Sequence, residues 1–112
     1  MQSALVSIFD DLRIRGGLKA SDIANITGKS PATISRWTNG QSFPHPKTQI
    51  LISDLRYIVD RLAEFYTAEE ARLWLYSRHP LLDEKTPIEL IFDQRADEVL
   101  VTIEQLSESP YL

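Results

Sequence analysis

The sequence of 112 residues predicts an all-α protein. Its apolar residues recur at the three- and four-residue spacing of amphipathic helices, and no segment alternates for long enough to predict a β-strand. Two Thr-x-x-Glu boxes, a pattern that caps helix starts, lie in the second half of the chain. We expect an N-terminal bundle with a helix-turn-helix in residues 1–46, a long connecting helix in residues 47–66, and a small C-terminal helical domain in residues 67–112.

Three short helices are predicted before the first proline-rich loop. The first spans residues 3–15 and is stopped by Arg15-Gly16-Gly17, and the second spans residues 20–27 with Gly28 as a left-handed C-cap. The third spans residues 31–38, where Ser30 caps the start, Pro31 suits the first turn and Asn39-Gly40 ends the helix. The residues expected to face inward are Leu5, Ile8, Phe9, Leu12, Ile23, Ala24, Thr27, Ile34 and Trp37.

The long helix of residues 47–66 carries two adjacent apolar stripes. One stripe consists of Leu51, Leu55, Ile58, Leu62 and Phe65, and the other of Ile52, Val59, Ala63 and Tyr66. Together they are wider than the single stripe of a surface helix, so we expect packing on two sides, against both halves of the chain or against a second copy. Further helices should start at the capping boxes Thr67-Glu70 and Thr86-Glu89, and a last one should span residues 95–107.

The spacing within residues 20–39 is that of a helix-turn-helix. If Ala20 is position 1, the small Ala24 lies at position 5 and Gly28 at the turn position 9, while Ile34 and Trp37 supply core positions 15 and 18. A small residue allows the two helices to cross closely, and glycine tolerates the positive φ of the turn. The segment resembles the helix-turn-helix of phage-repressor-like domains, although Lys19 stands where a Ser or Thr cap is usual.

The second helix of such a motif lies in the DNA major groove. By position, the residues that would face DNA are Lys29, Ser30, Ala32, Thr33, Ser35, Arg36 and Asn39. Arg36 can donate two hydrogen bonds to guanine, and Ala32 and the Thr33 methyl can contact thymine. The alternative is a motif retained only for packing. We expect binding of operator DNA by a homodimer.

Charge and composition limit the other functions. Residues 1–50 hold six basic and three acidic side chains, a net charge of +3. Because the whole chain has a net charge of −4, the remaining residues carry −7. The chain has no cysteine, no secretory signal pattern and no apolar run long enough for a membrane span, which predicts a soluble, cytoplasmic protein. His45 and His79 lack partners at metal-ligand spacing, and adjacent acidic residues diverge on a helix. We therefore expect no enzyme activity, cofactor or metal.

Over nearly its whole length the chain resembles the Xre/MbcA/ParS family of type II antitoxins. The similarity rests on Ile34-Ser-Arg-Trp-Thr-Asn-Gly-Gln41, Ala71, Trp74, Leu82, Thr86-Pro87, Leu90, Val99 and Leu106. It implies a helix-turn-helix joined to a toxin-binding domain, and a RES-domain toxin partner that consumes NAD by phosphorolysis, hydrolysis or ADP-ribosyl transfer. It also implies that the C-terminal region covers the toxin's NAD pocket, within a hetero-oligomeric complex that represses its own operon.

The expected toxin contacts are Trp74, Arg78, Leu81, Leu82, Ser109, Pro110, Tyr111 and Leu112. An acidic half suits a partner with a basic groove, and an aromatic-ended tail can order itself in a cavity on binding. Two alternatives remain at this point. One is a plain dimeric repressor whose C-terminal half only dimerises, and the other is a toxin inhibitor with a silent helix-turn-helix.

Overall fold

Helices make up the chain, as the sequence predicts. The structure is a computed structural model that describes residues 4–108, and within them no β-strand forms. The seven α-helices are α1 (Ala4–Gly16), α2 (Ala20–Thr27), α3 (Pro31–Thr38), α4 (Pro46–Leu62), α5 (Ala68–Tyr76), α6 (Pro87–Phe92) and α7 (Ala96–Glu108). A 3-10 turn at Pro80–Leu82 lies between α5 and α6. The first and last few residues of the prediction, including the tail from Ser109 onward, lie outside the described range.

Helices α2 and α3 have the predicted bounds. Thr33 N–H donates to the Ser30 hydroxyl over 3.1 Å, which confirms Ser30 as the N-cap of α3. Gly40 adopts a φ of 74°, and Gln41 N–H donates to the Arg36 carbonyl over 2.9 Å. This left-handed closure satisfies the last carbonyls of α3 and ends the helix where the Asn-Gly pair predicts.

Helix α4 is shorter than predicted. It ends at Leu62, four residues before the expected end at residue 66. Both Phe65 and Tyr66 turn back to donate their N–H groups to the Leu62 carbonyl. Thr67 then adopts the extended backbone that the N-cap of α5 requires, so the helix cannot continue through it. Phe65, expected in the first stripe, is instead 40% exposed.

One continuous core joins the two halves of the chain. Helix α4 packs against α1 on one side and α7 on the other. Both predicted stripes are therefore buried within the chain itself, at Leu51, Leu55, Ile58 and Leu62 in the first and at Ile52 and Val59 in the second. Ala63 and Tyr66, at the end of the second stripe, are half-buried. The two-sided packing of α4 needs no second copy.

Both capping boxes form. The Thr67 hydroxyl accepts from Glu70 N–H over 3.2 Å while the Glu70 carboxylate accepts from Thr67 N–H over 2.9 Å. Thr86 and Glu89 make the same exchange over 3.1 and 2.8 Å. These two glutamates thus satisfy backbone donors at helix starts. Across residues 4–108, no helix combines the length and apolar character needed to cross a membrane.

Candidate functional site

Helices α2 and α3 and the turn between them have the geometry that the spacing of residues 20–39 predicts. Gly28 adopts a φ of 71° and Lys29 N–H donates to the Ala24 carbonyl over 3.0 Å, which closes the turn between α2 and α3. Ile34 and Trp37 are buried against α2. The turn also contacts the C-terminal half, because a Cβ on Gly28 would lie 2.8 Å from Cε2 of Phe92 in α6.

The predicted reading face of α3 is open to solvent. Six of its seven residues are exposed, namely Lys29, Ser30, Ala32, Ser35, Arg36 and Asn39, and Thr33 is half-buried. The Thr33 hydroxyl lies 3.0 Å from the Ser30 hydroxyl and accepts from the Arg36 guanidinium over 3.4 Å. Arg36 therefore lies along the helix with most of its donors free, and this arrangement suits a base edge or a phosphate.

Asp22 is a buried polar residue that the sequence analysis did not single out. Its side chain is buried, with 3% of the residue exposed, and it starts α2 by accepting from Lys19 N–H over 2.9 Å. The carboxylate replaces the missing hydroxyl cap at Lys19. Burial alone would raise the pKa of Asp22, but hydrogen bonds from Tyr76, Lys19 N–H and Arg72 hold it below its ordinary value. An acidic residue in the first turn of α2 was the only available signal.

A rigid loop presents Leu81 on the C-terminal half. The His79 ring lies against the Trp74 ring with centroids 4.6 Å apart, and His79 Nε2 lies 2.9 Å from the Trp74 carbonyl oxygen. His79 N–H donates to the Lys85 carbonyl over 3.1 Å, and the Arg78 guanidinium donates to the Glu84 carbonyl over the same distance. These contacts close residues 78–85 into a compact knob.

Leu81 borders a groove whose other wall is α7. We call it the C-terminal groove and define it by Leu81, Leu82, Asp97, Val101 and Gln105. It has a volume of about 290 Å³. Leu81 and Val101 are 57% and 59% exposed. Val101 was not predicted, but it lies off the buried Val99–Ile103 stripe of α7, and an apolar residue on the polar face of a helix is the signal that could have found it.

The other expected toxin contacts are distributed differently. Trp74 and Leu82 are 8% and 5% exposed, so they support the knob from beneath. Arg78 is exposed at the base of the knob. The four tail residues, Ser109 to Leu112, lie outside the described residues, directly after α7. The sequence thus locates one wall of the groove and misses the α7 wall.

The groove is acidic. Asp97 lies on its wall, and Asp54 of α4 is close enough to Asp97 for the two charges to interact. Burial raises the pKa of Asp54, and the negative charge of Asp97 raises it further. Glu98, by contrast, is neutralised by Arg95, which donates to it over 2.5 and 2.8 Å. The two unpaired aspartates hold negative potential that a basic side chain of a partner would relieve.

A second exposed apolar face lies at the opposite half of the chain. Phe43, Ile50 and Tyr57 are 73%, 62% and 57% exposed on the loop before α4 and on its outer surface. Phe43 also borders an apolar pocket of about 360 Å³ together with Leu5 and Ile8 of α1. Exposed apolar patches of this kind mark association surfaces.

Known proteins share both the sequence and the fold. The mycobacterial cidal antitoxin MbcA of Mycobacterium bovis and that of Mycobacterium tuberculosis are each 31% identical to the chain over 98 residues, 88% of this chain and 87% of the relative. A chain in the crystal structure of the M. tuberculosis MbcT–MbcA toxin–antitoxin complex superimposes with a TM-score of 0.83 at 29% identity, covering 98% of this chain and 99% of that one. No protein-family model matches the sequence.

The similarity extends over both halves of the chain, so the C-terminal half has a counterpart in the antitoxin. The relatives are antitoxins and not enzymes, which confirms the expectation that this chain is not an enzyme. Of the family resemblance drawn from the sequence, the MbcA part is confirmed. The chain belongs to the family of the mycobacterial antitoxin MbcA.

Proposed function

We propose that the chain is the antitoxin of a type II pair that neutralises a RES-domain, NAD-consuming toxin in the cytoplasm. The observation that carries the proposal is the match to MbcA along both halves of the chain. The matching solved structure is that of a toxin–antitoxin complex. In this division of roles, residues 67–112 bind toxin, residues 1–46 bind DNA, and the connecting helix joins them.

The C-terminal groove is the proposed toxin-binding surface. Leu81 and Val101 project from a hydrogen-bonded knob and a regular helix, so their burial by a partner orders few additional groups. Two apolar anchors beside a polar rim resemble the centre of an ordinary protein interface. Arg78 at the base of the knob supplies a donor at the edge of this surface.

The acidity of the groove suits a toxin that binds NAD. A pocket for a dinucleotide diphosphate needs basic side chains, and a groove wall that carries Asp97, with the charge of Asp54 nearby, is complementary to them. The tail, Ser109 to Leu112, follows α7 in the sequence and is the proposed segment that covers the NAD pocket. The groove anchors the antitoxin while the tail blocks substrate entry.

The reading face of α3 is the proposed operator-binding surface. Its exposed residues carry Lys29 and Arg36 in a half of the chain with net charge +3. We propose that a homodimer presents two such helices to a two-fold-related site. The apolar face of Phe43, Ile50 and Tyr57 is the surface we assign to the second copy, because it lies on α4 and the loop before it and leaves α3 open.

The toxin-binding proposal is tested by titrating purified cognate toxin, the product of the adjacent reading frame, with wild type and two arginine variants. Val101→Arg should weaken binding by at least about thirtyfold, which corresponds to the roughly 2 kcal/mol that defines an interface hot spot. Ile14→Arg is the matched control, because Ile14 is 61% exposed on α1, and it should bind as wild type does. If both variants lost the same toxin affinity, the groove could not be the specific toxin-binding surface.

The DNA-binding proposal is tested separately, on the upstream operator fragment. About six phosphate contacts should make the affinity fall roughly a thousandfold between 50 and 200 mM salt. Arg36→Ala should relax the sequence preference while leaving toxin neutralisation unchanged. Operator binding without any effect on a toxin would instead support a plain dimeric repressor, and neutralisation without operator binding would support an inhibitor with a silent helix-turn-helix.

A further inference from the structure

A buried carboxylate joins the helix-turn-helix to the C-terminal half. Asp22 of α2 accepts a hydrogen bond from the Tyr76 hydroxyl over 2.5 Å and another from the Arg72 guanidinium over 3.1 Å, and both partners lie on α5. The Arg72 guanidinium also lies over the Tyr76 ring, 4.8 Å from its centroid. Residues 50 and 54 positions apart in sequence thus form one polar cluster, which we call the Asp22 clasp.

The clasp holds α2 at its start, and a second contact holds it at its end. At the start, the same carboxylate that binds Arg72 and Tyr76 caps α2 through Lys19 N–H. At the end, the Phe92 ring of α6 lies so close to Gly28 that a Cβ there would be 2.8 Å from the ring and would force it to shift. Both ends of α2 are therefore attached to the half of the chain that follows α4, and α3 packs on α2.

In the clasp the Asp22 side chain is buried, whereas the Arg72 side chain is 45% exposed. A buried carboxylate loses its hydration, and well-packed apolar side chains of similar volume would often stabilise a fold equally well. Removing one partner, however, leaves a buried charge without compensation. A hydrogen-bonded cluster is satisfied only in one arrangement of α2 and α5, so it fixes their relative position.

We propose that Arg72 and Tyr76 are positioning residues of the DNA-reading helix, so that the reading unit extends beyond residues 1–46 to α5. The two halves then move as one body, and a partner that displaces α5 changes the placement of α3. By linkage, any factor by which toxin binding changes operator affinity equals the factor by which operator binding changes toxin affinity. The part concerning DNA rests on the proposed function, whereas the positioning of α2 and α3 does not.

Amide hydrogen exchange of the full-length chain tests the positioning directly and needs neither DNA nor toxin. Tyr76→Phe removes one hydroxyl and keeps the ring, so exchange in α2 and α3 should accelerate by about tenfold or more, as expected for the loss of a hydrogen bond to a charged group. Exchange in α7 should change much less. The matched control is Arg15→Met, which breaks the exposed Arg15–Asp60 pair of 2.7 Å between α1 and α4 and should leave α2 and α3 unchanged.

Two further variants complete the test. Arg72→Met should also accelerate exchange selectively in α2 and α3, and Arg72→Lys should restore part of the protection because it keeps the charge. Acceleration spread uniformly over all helices, or confined to α5, would overturn the proposal. In operator binding, Tyr76→Phe should lose affinity about tenfold while Arg15→Met does not. A wild-type chain that binds no operator would refute the DNA part of the proposed function, and the exchange data would still decide the positioning.

Discussion

Replacement of Gly28 by alanine measures how tightly the helix-turn-helix is attached to the C-terminal half. Gly28 has a φ of 71°, and Gly40, at the other end of α3, has a φ of 74°. Alanine is strained to a similar degree at both positions. The surroundings differ, because a Cβ at Gly28 would lie 2.8 Å from Phe92 whereas nothing lies within 4 Å of a Cβ at Gly40.

The expected losses follow from these two terms. The left-handed backbone costs alanine about 1–2 kcal/mol, which is the whole effect expected for Gly40→Ala. Overpacking against Phe92 adds about 1 kcal/mol, the lower end for inserted methyl groups, because the Phe92 ring is half exposed and can partly move away. Gly28→Ala should therefore lower the free energy of unfolding by about 2–3 kcal/mol. Each kcal/mol lowers Tm by roughly 4 °C for a chain of this size.

Urea unfolding followed by far-ultraviolet circular dichroism measures both variants under the same conditions. The double variant Gly28→Ala with Phe92→Ala should recover the overpacking term, which a double-mutant cycle isolates as a coupling of about 1 kcal/mol. Equal losses for Gly28→Ala and Gly40→Ala, together with no coupling to Phe92, would refute the close contact between the turn and α6.

Three further predictions concern charges and caps. Hydrogen bonds hold the folded-state pKa of Asp22 below its unfolded value. The stability that ionised Asp22 contributes is therefore complete above about pH 4, and it is lost as the pH falls through the folded-state pKa. The urea midpoint of wild type should thus fall more steeply in acid than that of Asp22→Asn. The charge of Asp97 repels ionised Asp54 and raises its pKa, so Asp97→Asn should raise the urea midpoint at pH 7. The gain should disappear in acid, because protonated Asp54 is no longer repelled. Thr86→Ala removes the cap of α6 and should cost about 1 kcal/mol in thermal unfolding, whereas Thr86→Ser should keep most of it. A pH-independent difference in either acid series, or an unchanged Tm for Thr86→Ala, would contradict the corresponding reasoning.

Local signals in the sequence predicted most of the fold. The bounds of α2 and α3 follow from Ser30, Gly28 and the Asn-Gly pair, which act within one or two turns of backbone. The end of α4 was wrong because the apolar pattern continues through Phe65 and Tyr66, while the demand of the Thr67 cap for extended backbone stops the helix earlier. The apolar spacing indicates which side chains could face a core, but the N-cap of the next helix limits how far the helix itself can extend.

Candidate site residues could be predicted from the sequence only where they all lie on one helix or loop. The predicted reading face of α3 follows from helical geometry once the motif is placed; six of its seven residues are exposed, and its role stays a prediction. The C-terminal groove is formed by residues from two elements, so Leu81 was found and Val101 was not. The Asp22 clasp joins side chains about fifty residues apart, and no local pattern specifies that side chains of α5 reach Asp22.

Cellular NAD is the most direct measure of the central claim, that the chain neutralises an NAD-consuming toxin through its C-terminal groove. The product of the adjacent reading frame is expressed alone, with the wild-type chain, with Val101→Arg and with Ile14→Arg, and NAD is measured after induction. We expect NAD to fall with the toxin alone, to be preserved by wild type and Ile14→Arg, and to fall again with Val101→Arg. NAD loss that persists despite the wild-type chain would contradict the claim.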